Sequence, residues 1–392
     1  MSVRPENGPR VLVLDGFWNK ALAAVRSLGR HGVFVGAGER TRLAPALFSR
    51  YCRRRFVHPS VARRPAAFLA ALERELEVAA YDVLLPMELT TQLLVTEHRR
   101  RLEPNVRIPF ADADRTLRVH DKGFLTAFAR DHGIECPATF FPQGPDRAAA
   151  LSGELPYPVL VKPRQSSGGR GIVRVERRAD FVAAYNRVHA RFPAPIVQAC
   201  LPPGGEAVGV AVLMNFASEP RASFAYRRLR EYPASGGPST LRESIRDPDL
   251  QATTERLLSR LGWVGVAMAE FKVDPRDGRP KLLEVNPRFW GSLHHATLCG
   301  VDFPWLLYRM AVDGDVERVA GYQIGVKSRS LLHGEVMHFL TSPERFRLRP
   351  TLYDFSIPDD VLSTDDPLPS FGRIASLFAL VRDRDLRAMT RG

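Results

Sequence analysis

Residues 264–292, VGVAMAEFKVDPRDGRPKLLEVNPRFWGS, constrain this chain more than any other stretch. Two apolar runs flank the turn cluster PRDG, which reads as a β-hairpin. A turn centred on Asp277 sets Glu270 directly opposite Glu284. Side chains two apart on a strand share a face, so Asn286 joins Glu284. Facing carboxylates repel, and burying an unpaired one costs several kcal/mol. A divalent cation relieves both penalties: Mg²⁺ takes oxygen ligands, commonly one or two carboxylates plus substrate phosphates. Glu270, Glu284 and Asn286 form such a set, and Arg288 follows. A solvent-facing hairpin with incidental acids is the plain alternative, and the apolar neighbours Leu282, Leu283 and Val285 speak against it.

The rest of the sequence leaves room for a large site. The chain has 392 residues, 45% hydrophobic and 25% charged, enough for two or three domains with their own cores. No apolar run is long enough for a membrane span, and the polar start MSVRPENGPR does not read as a secretory leader. Cys52, Cys136, Cys200 and Cys299 are scattered without a Cys-x-x-Cys pair, which fits a reduced, cytoplasmic setting. The formal charge is +13 and nearly all of it is arginine; the lysines are Lys20, Lys122, Lys162, Lys272, Lys281 and Lys327. The arginine triplets 53–55 and 99–101 could mark a nucleic-acid footprint or a solvated surface. No aromatic interleaving or DNA-binding spacing accompanies them, so a nucleic-acid partner is disfavoured.

Residues 10–36 read as strand, helix and strand, with Ala21, Ala24, Val25 and Leu28 on one helical face. A further strand at Val83–Leu85 and a helical stretch to about Leu102 imply an open, parallel α/β domain. The first turn, GFWNKA, lacks the G-x-G-x-x-G dinucleotide fingerprint. Leu117, His120, Phe124, Phe128 and Ala129 suggest one helix closed by Gly133 at the junction into a second domain. From about residue 155 strands and Gly/Pro turns dominate, residues 247–262 read as a helix, and a final helix is expected at roughly 371–389.

Two further constellations carry chemistry. In PVLVKPRQSSGGRGIVRV (158–175) a strand delivers Lys162 to a turn of Ser166, Ser167, Gly168, Gly169 and Gly171. Glycines let backbone N–H groups wrap a polyphosphate, although the Walker pattern is absent and a plain hairpin turn fits as well. In PIVQACLPPGGEAVGV (195–210) a strand ending at Leu201 is followed by Glu206. Such a strand end can read an adenine edge and such a carboxylate can hold ribose hydroxyls; alone, the segment reads as an ordinary loop.

In order and spacing, Lys122, Lys162 with its Gly-rich turn, Gln198 to Glu206, then Glu270, Glu284, Asn286 and Arg288 resemble the ATP-grasp superfamily. REYPASGGPSTLRES (230–244) and NPRFWGSLHHATLCGVDFP (286–304) are similar to its carbamoyl-phosphate-synthase-like and carboxylate–amine ligase members, and the resemblance covers about residues 10–340. It implies an N-terminal Rossmann-like pre-ATP-grasp domain (1–115), a two-lobed ATP-grasp domain (116–315, with 155–200 as the lid-bearing lobe) and a C-terminal extension (316–392). It further implies that Lys122 and Lys162 contact the ATP phosphates under the 166–171 loop, and that Gln198, Cys200 and Leu201 line the adenine. Glu206 would hold the ribose, and Glu270, Glu284 and Asn286 would coordinate Mg²⁺, with Mn²⁺ as the alternative. Arg288 would stabilise the transferring phosphoryl group. Ala199 departs from the acidic residue many members carry at the adenine hinge.

The implied activity is an ATP-dependent ligase that activates a carboxylate as an acyl phosphate and joins it to an amine, releasing ADP and phosphate. Carboxyphosphate or carbamate formation, phosphotransfer, or a nucleotide-binding regulator without turnover are the alternatives. Small-molecule carboxylates and amines are the expected partners, with a homodimer compatible and no membrane span. Arg230 and Arg242 are candidates for gripping the acceptor carboxylate, against the reading of solvated surface arginines. His294 and His295 read as part of a packed or surface helix rather than as catalytic groups.

Overall fold

The computed structural model of the chain describes residues 8–166, 168–233 and 236–382. Ser167, Ala234 and Ser235 of the loops singled out above, and the end of the expected final helix beyond Arg382, lie outside the described residues.

The first sheet is parallel. It contains β1 (Arg10–Val13), β2 (Phe34–Glu39), β3 (Cys52–Val57) and β4 (Val83–Leu85) in the order β3-β2-β1-β4. The expected strands β1, β2 and β4 are present. The edge strand β3 was not anticipated, because its CRRRFV sequence reads as a charge cluster. The triplets are not simply a solvated surface: Arg54 pairs with Glu75 at 2.6 Å, Arg55 donates to the Leu47 carbonyl, and Arg99 and Arg101 pair with Glu103 and Glu73. The helix Asn19–Arg30 buries Ala21, Ala24, Val25 and Leu28, the face its periodicity indicated.

The second sheet, antiparallel, contains β5 (Thr139–Phe140), β6 (Val159–Lys162), β7 (Val173–Val175) and β8 (Ile196–Ala199) in the order β5-β8-β6-β7. It is backed by the helices Pro145–Leu151 and Arg178–Arg191. This region is therefore not strands alone. Phe181, Ala184, Tyr185 and Val188 of the second helix are buried at helical spacing, a stripe masked in the sequence by abundant arginine. The strand expected to reach Leu201 stops at Ala199.

The third sheet contains β9 (Ala207–Met214), β10 (Pro220–Glu231), β11 (Ser239–Ile245), β12 (Gly265–Val273), β13 (Pro280–Asn286) and β14 (Lys327–Arg329), in the order β13-β12-β9-β10-β11-β14. One face packs toward the first domain through Leu213, Phe224, Tyr226 and Met268. The other packs through Val210, Val212, Ala267 and Phe271 against the helix Pro248–Arg260, which Asp247 caps. The expected extension is not separate from this body, since β14 adds a strand beside β11.

Two expectations about local geometry are corrected. The junction is two helices, Ala113–His120 and Lys122–Asp131, broken at Asp121. Asp121 takes an extended backbone and accepts from Phe124 N–H as the second helix's N-cap, which is stronger local chemistry than continuing the period. The hairpin register holds from Asn286 to Glu284, but a bulge intervenes between Glu270 and Phe271, so Phe271 pairs with Leu282 and Leu283 is the extra residue. The bulge re-phases the strand: Leu282 and Val285 share one core, while Glu284 and Asn286 are left for the other side. The final helix runs Leu368–Arg382, starting three residues earlier than expected.

Candidate active site

Glu270 and Glu284 are paired across β12 and β13, and Asn286 Nδ2 donates to Glu270 Oε1 at 3.0 Å. Each carboxylate meets its own cation. Arg228, on β10, reaches Glu270 at 2.5 Å, and Lys122, the first residue of the helix Lys122–Asp131, reaches Glu284 at 2.9 Å. Burial alone would raise the Glu284 carboxyl, but the ammonium groups of Lys122 and Lys162 outweigh it and hold it below the usual carboxylate range. Glu284 is thus an anion at neutral pH. His120 beside it is pushed down to about 4 by burial and then by Lys122, so it is neutral.

Lys122 also donates to the Ser166 carbonyl at 2.5 Å, and its backbone N–H donates to the Arg164 carbonyl at 2.9 Å. Arg164 in turn pairs with the capping Asp121 at 2.9 Å. This knot ties the start of the Gly-rich turn to the carboxylate sheet. Gly168, Gly169 and Gly171 all have positive φ, and a Cβ on Gly171 would strike the Phe192 ring and Pro163.

Lys162, last in β6, donates to Gln198 Oε1 at 2.6 Å, while Gln198 Nε2 donates to Thr139 Oγ1. Burial, reinforced by Lys122, pushes the Lys162 ammonium down to about 8. The Gln198 side chain therefore faces the lysine rather than the open strand end. The Ala199 and Cys200 N–H groups are already given to the Ala138 and Pro158 carbonyls, and Cys200 Sγ accepts from Arg174. Leu201 is buried next to them. Glu206 is 55% exposed in its side chain and pairs with Arg227 at 2.9 Å.

Arg288 is half-buried, with Nη1 on its neighbour Phe289's carbonyl at 2.8 Å. Arg230 and Arg242 are not surface arginines. Arg230 pairs with Glu335 at 2.5 Å and donates to the Pro350 carbonyl, and Arg242 pairs with Asp360 and donates to Ser328 Oγ. Both are buried and committed to the extension. His295 is buried and hydrogen-bonded to Ser328 Oγ through Nδ1, consistent with a packed helix.

Nothing in the sequence pairs Arg228 with Glu270; that relation depends on the sheet order, in which β10 lies two strands from β12. Among the described residues no three His, Cys, Asp or Glu side chains converge as a metal cluster. Two carboxylates and an amide oxygen, completed by substrate phosphates, are nevertheless the kind of donor set that Mg²⁺ takes. No helix among the described residues is long and apolar enough to cross a membrane.

Residues 212–331 match the family described as "ATP-grasp in the biosynthetic pathway with Ter operon". Among curated relatives, an acetyl-CoA carboxylase of Saccharomyces cerevisiae is 24% identical over 45% of this chain and 8% of its own length. A carbamoyl phosphate synthase large chain of Halomonas eurihalina is 21% identical over 78% of this chain and 29% of its own. The chain thus spans a minor part of these larger proteins. Among solved structures, a biotin carboxylase–beta-gamma-ATP complex from Campylobacter jejuni superposes with a TM-score of 0.69 at 16% identity, covering 81% of this chain and 74% of that one. The ADP complex of an N5-carboxyaminoimidazole ribonucleotide synthetase gives 0.67 at 16% identity, covering 85% and 84%. An L-amino acid ligase from Bacillus licheniformis gives 0.58 at 15% identity, covering 80% and 76%. Residues 212–331 thus resemble an ATP-grasp family, and the fold is one shared with these carboxylase and synthetase structures.

Proposed function

We propose that the protein is an ATP-dependent, ADP-forming ligase that activates a carboxylate as an acyl phosphate and joins it to an amine. The observation that carries this reading is the cross-strand pair Glu270–Glu284, with Asn286 beside it, Lys122 facing Glu284 from a helix packed on β13, and Lys162 facing it from the second sheet. Lys122 and Lys162 would take the ATP phosphates, with Ser166, Gly168, Gly169 and Gly171 covering them and Gln198 orienting Lys162. Cys200 and Leu201 would border the base and Glu206 the ribose. Glu270, Glu284 and Asn286 would hold Mg²⁺, which when bound neutralises phosphate charge.

In this reading a substrate carboxylate oxygen attacks the γ-phosphorus, and the bond from phosphorus to the β,γ-bridging oxygen breaks to release ADP. Arg288 offsets the negative charge spread over the transferring group. The amine nitrogen then attacks the acyl carbon, the carbon–oxygen bond to phosphate breaks, and the amine loses a proton to solvent. The Gly-rich turn excludes water, which would otherwise hydrolyse the acyl phosphate. Arg230 and Arg242, the candidates for gripping the acceptor carboxylate, are instead taken up by Glu335 and Asp360, so the reading assigns them no contact with the acceptor.

Incubation with ATP and Mg²⁺ across a matrix of carboxylates and amines tests the proposal. Amine-dependent release of ADP and phosphate is the expected result. AMP as the product would contradict it, and ADP release driven by bicarbonate without any amine would favour carboxyphosphate chemistry instead.

A further inference from the structure

Arg288 extends from a short loop whose backbone is gripped by residues far away in sequence. Gln92, in the helix Leu89–Glu97, donates from Nε2 to the Pro287 carbonyl at 2.9 Å. Lys20, in the helix Asn19–Arg30, donates from Nζ to the Phe289 carbonyl at 3.1 Å. The carbonyls immediately before and after Arg288 are therefore both pinned by the first domain. The Phe289 carbonyl is also the acceptor for Arg288's own Nη1 at 2.8 Å, so one oxygen anchors both the loop and the guanidinium.

Neither grip is explained by packing. Lys20 and Gln92 are 2% and 0% exposed, positions an apolar side chain would fill without the cost of burying an ammonium or an amide. Lys20 is stabilised there by Glu88 at 2.6 Å. Glu88 is fixed in its turn, because the Asp15 carboxylate accepts the N–H groups of Met87 and Glu88 and the Thr91 hydroxyl. Asp15 and Glu88 follow the adjacent strands β1 and β4; the chain leaves β1 for β2 on one side, and beyond β4 it returns at Arg107, bridged to Val83 on the other. Such a switch point leaves a crevice at the carboxyl ends of the strands, and here Lys20, beside that crevice, reaches the Phe289 carbonyl in the Arg288 loop.

We propose that Lys20 and Gln92 are positioning residues: they clamp the Pro287 and Phe289 carbonyls and so fix the direction in which Arg288 presents its guanidinium to the carboxylate cleft. The catalytic part of this inference rests on the ligase reading; the clamp itself does not. It gives the first domain a share in the chemistry without any contact to nucleotide.

Gln92→Leu, Lys20→Met and the double variant test it. In the nucleotide-free protein, hydrogen–deuterium exchange over residues 286–292 is expected to rise, with the helix Pro248–Arg260 unchanged. In turnover, kcat is expected to fall on the order of 10²-fold in the double variant, with KM for ATP held within about twofold. Unchanged exchange at 286–292 overturns the clamp. A rise in exchange across the whole protein, with kcat and KM moving together, also overturns it, because that is general destabilisation. A wild-type protein that forms no ADP with any carboxylate and amine defeats the ligase reading, while the exchange measurement still decides the clamp.

Discussion

Glu270 and Glu284 stand directly opposite one another across β12 and β13, and each is neutralised by a different cation, Arg228 from the same sheet and Lys122 from the helix packed against β13. Two facing carboxylates would otherwise repel in a poorly solvated cleft. Lys122 also holds the Ser166 carbonyl, so the charge state of Glu284 is coupled to the start of the Gly-rich turn.

Replacing Glu284 by Gln keeps the shape and removes the charge. ATP turnover is expected to fall by at least about 10²-fold, the scale seen when a preorganised electrostatic contact is lost. The far-ultraviolet circular dichroism spectrum should be unchanged. Near-normal ADP release from this variant would remove Glu284 from the proposed metal site.

Lys162 sets a pH dependence with two opposite signs. Its ammonium titrates at about 8 in the folded protein against 10.5 unperturbed. Between those values the unfolded chain binds the extra proton, so this group's contribution to stability rises with pH across that window. Its phosphate-binding charge is lost across the same window. The KM for ATP is expected to climb above pH about 8 while the denaturation midpoint does not fall on this group's account. Lys162→Met should flatten the KM profile, and an identical profile in that variant would assign the titration elsewhere.

Arg228→Gln leaves Glu270 without its cation in a largely buried position. Loss of one partner of such a pair costs about 3 kcal/mol or more, so the urea midpoint should drop clearly. Saturating Mg²⁺ with ADP should recover part of the loss, since a ligand that binds the folded state stabilises it. No shift in the midpoint would mean that Glu270 is solvated in solution.

The extension is held by buried ion pairs: Arg230 with Glu335, Arg242 with Asp360, and Arg26 with Asp366. Asp360→Asn is expected to destabilise the fold by about 3 kcal/mol, read from denaturant unfolding. An unaltered midpoint would show that Asp360 does not hold the extension to the body.

The paired carboxylates were legible because three signals coincide within a few residues: an apolar strand pattern, a turn cluster, and acids symmetrical about it. The parallel first domain was legible for a similar reason, since helical and strand periods alternate cleanly from Val11 to Val35. Local contacts of this kind are written into neighbouring residues. The bulge at Leu283, the break at Asp121 and the helix Arg178–Arg191 were not read, because a cap, an extra residue or a buried stripe among arginines is decided by what packs against it.

The sequence by itself determined which residue types line the cleft and the order in which they arrive: Lys122, Lys162, Glu270, Glu284, Asn286 and Arg288. Tertiary structure alone decided their partners. Arg228 reaches Glu270 through sheet order, Gln198 turns to Lys162 across β6 and β8, Arg230 and Arg242 are spent on the extension, and Lys20 and Gln92 grip the Arg288 loop from the first domain. Buried polar groups must be satisfied wherever they come to rest, and which group lies within reach is a property of packing between distant segments, 269 residues apart for Lys20 and Phe289.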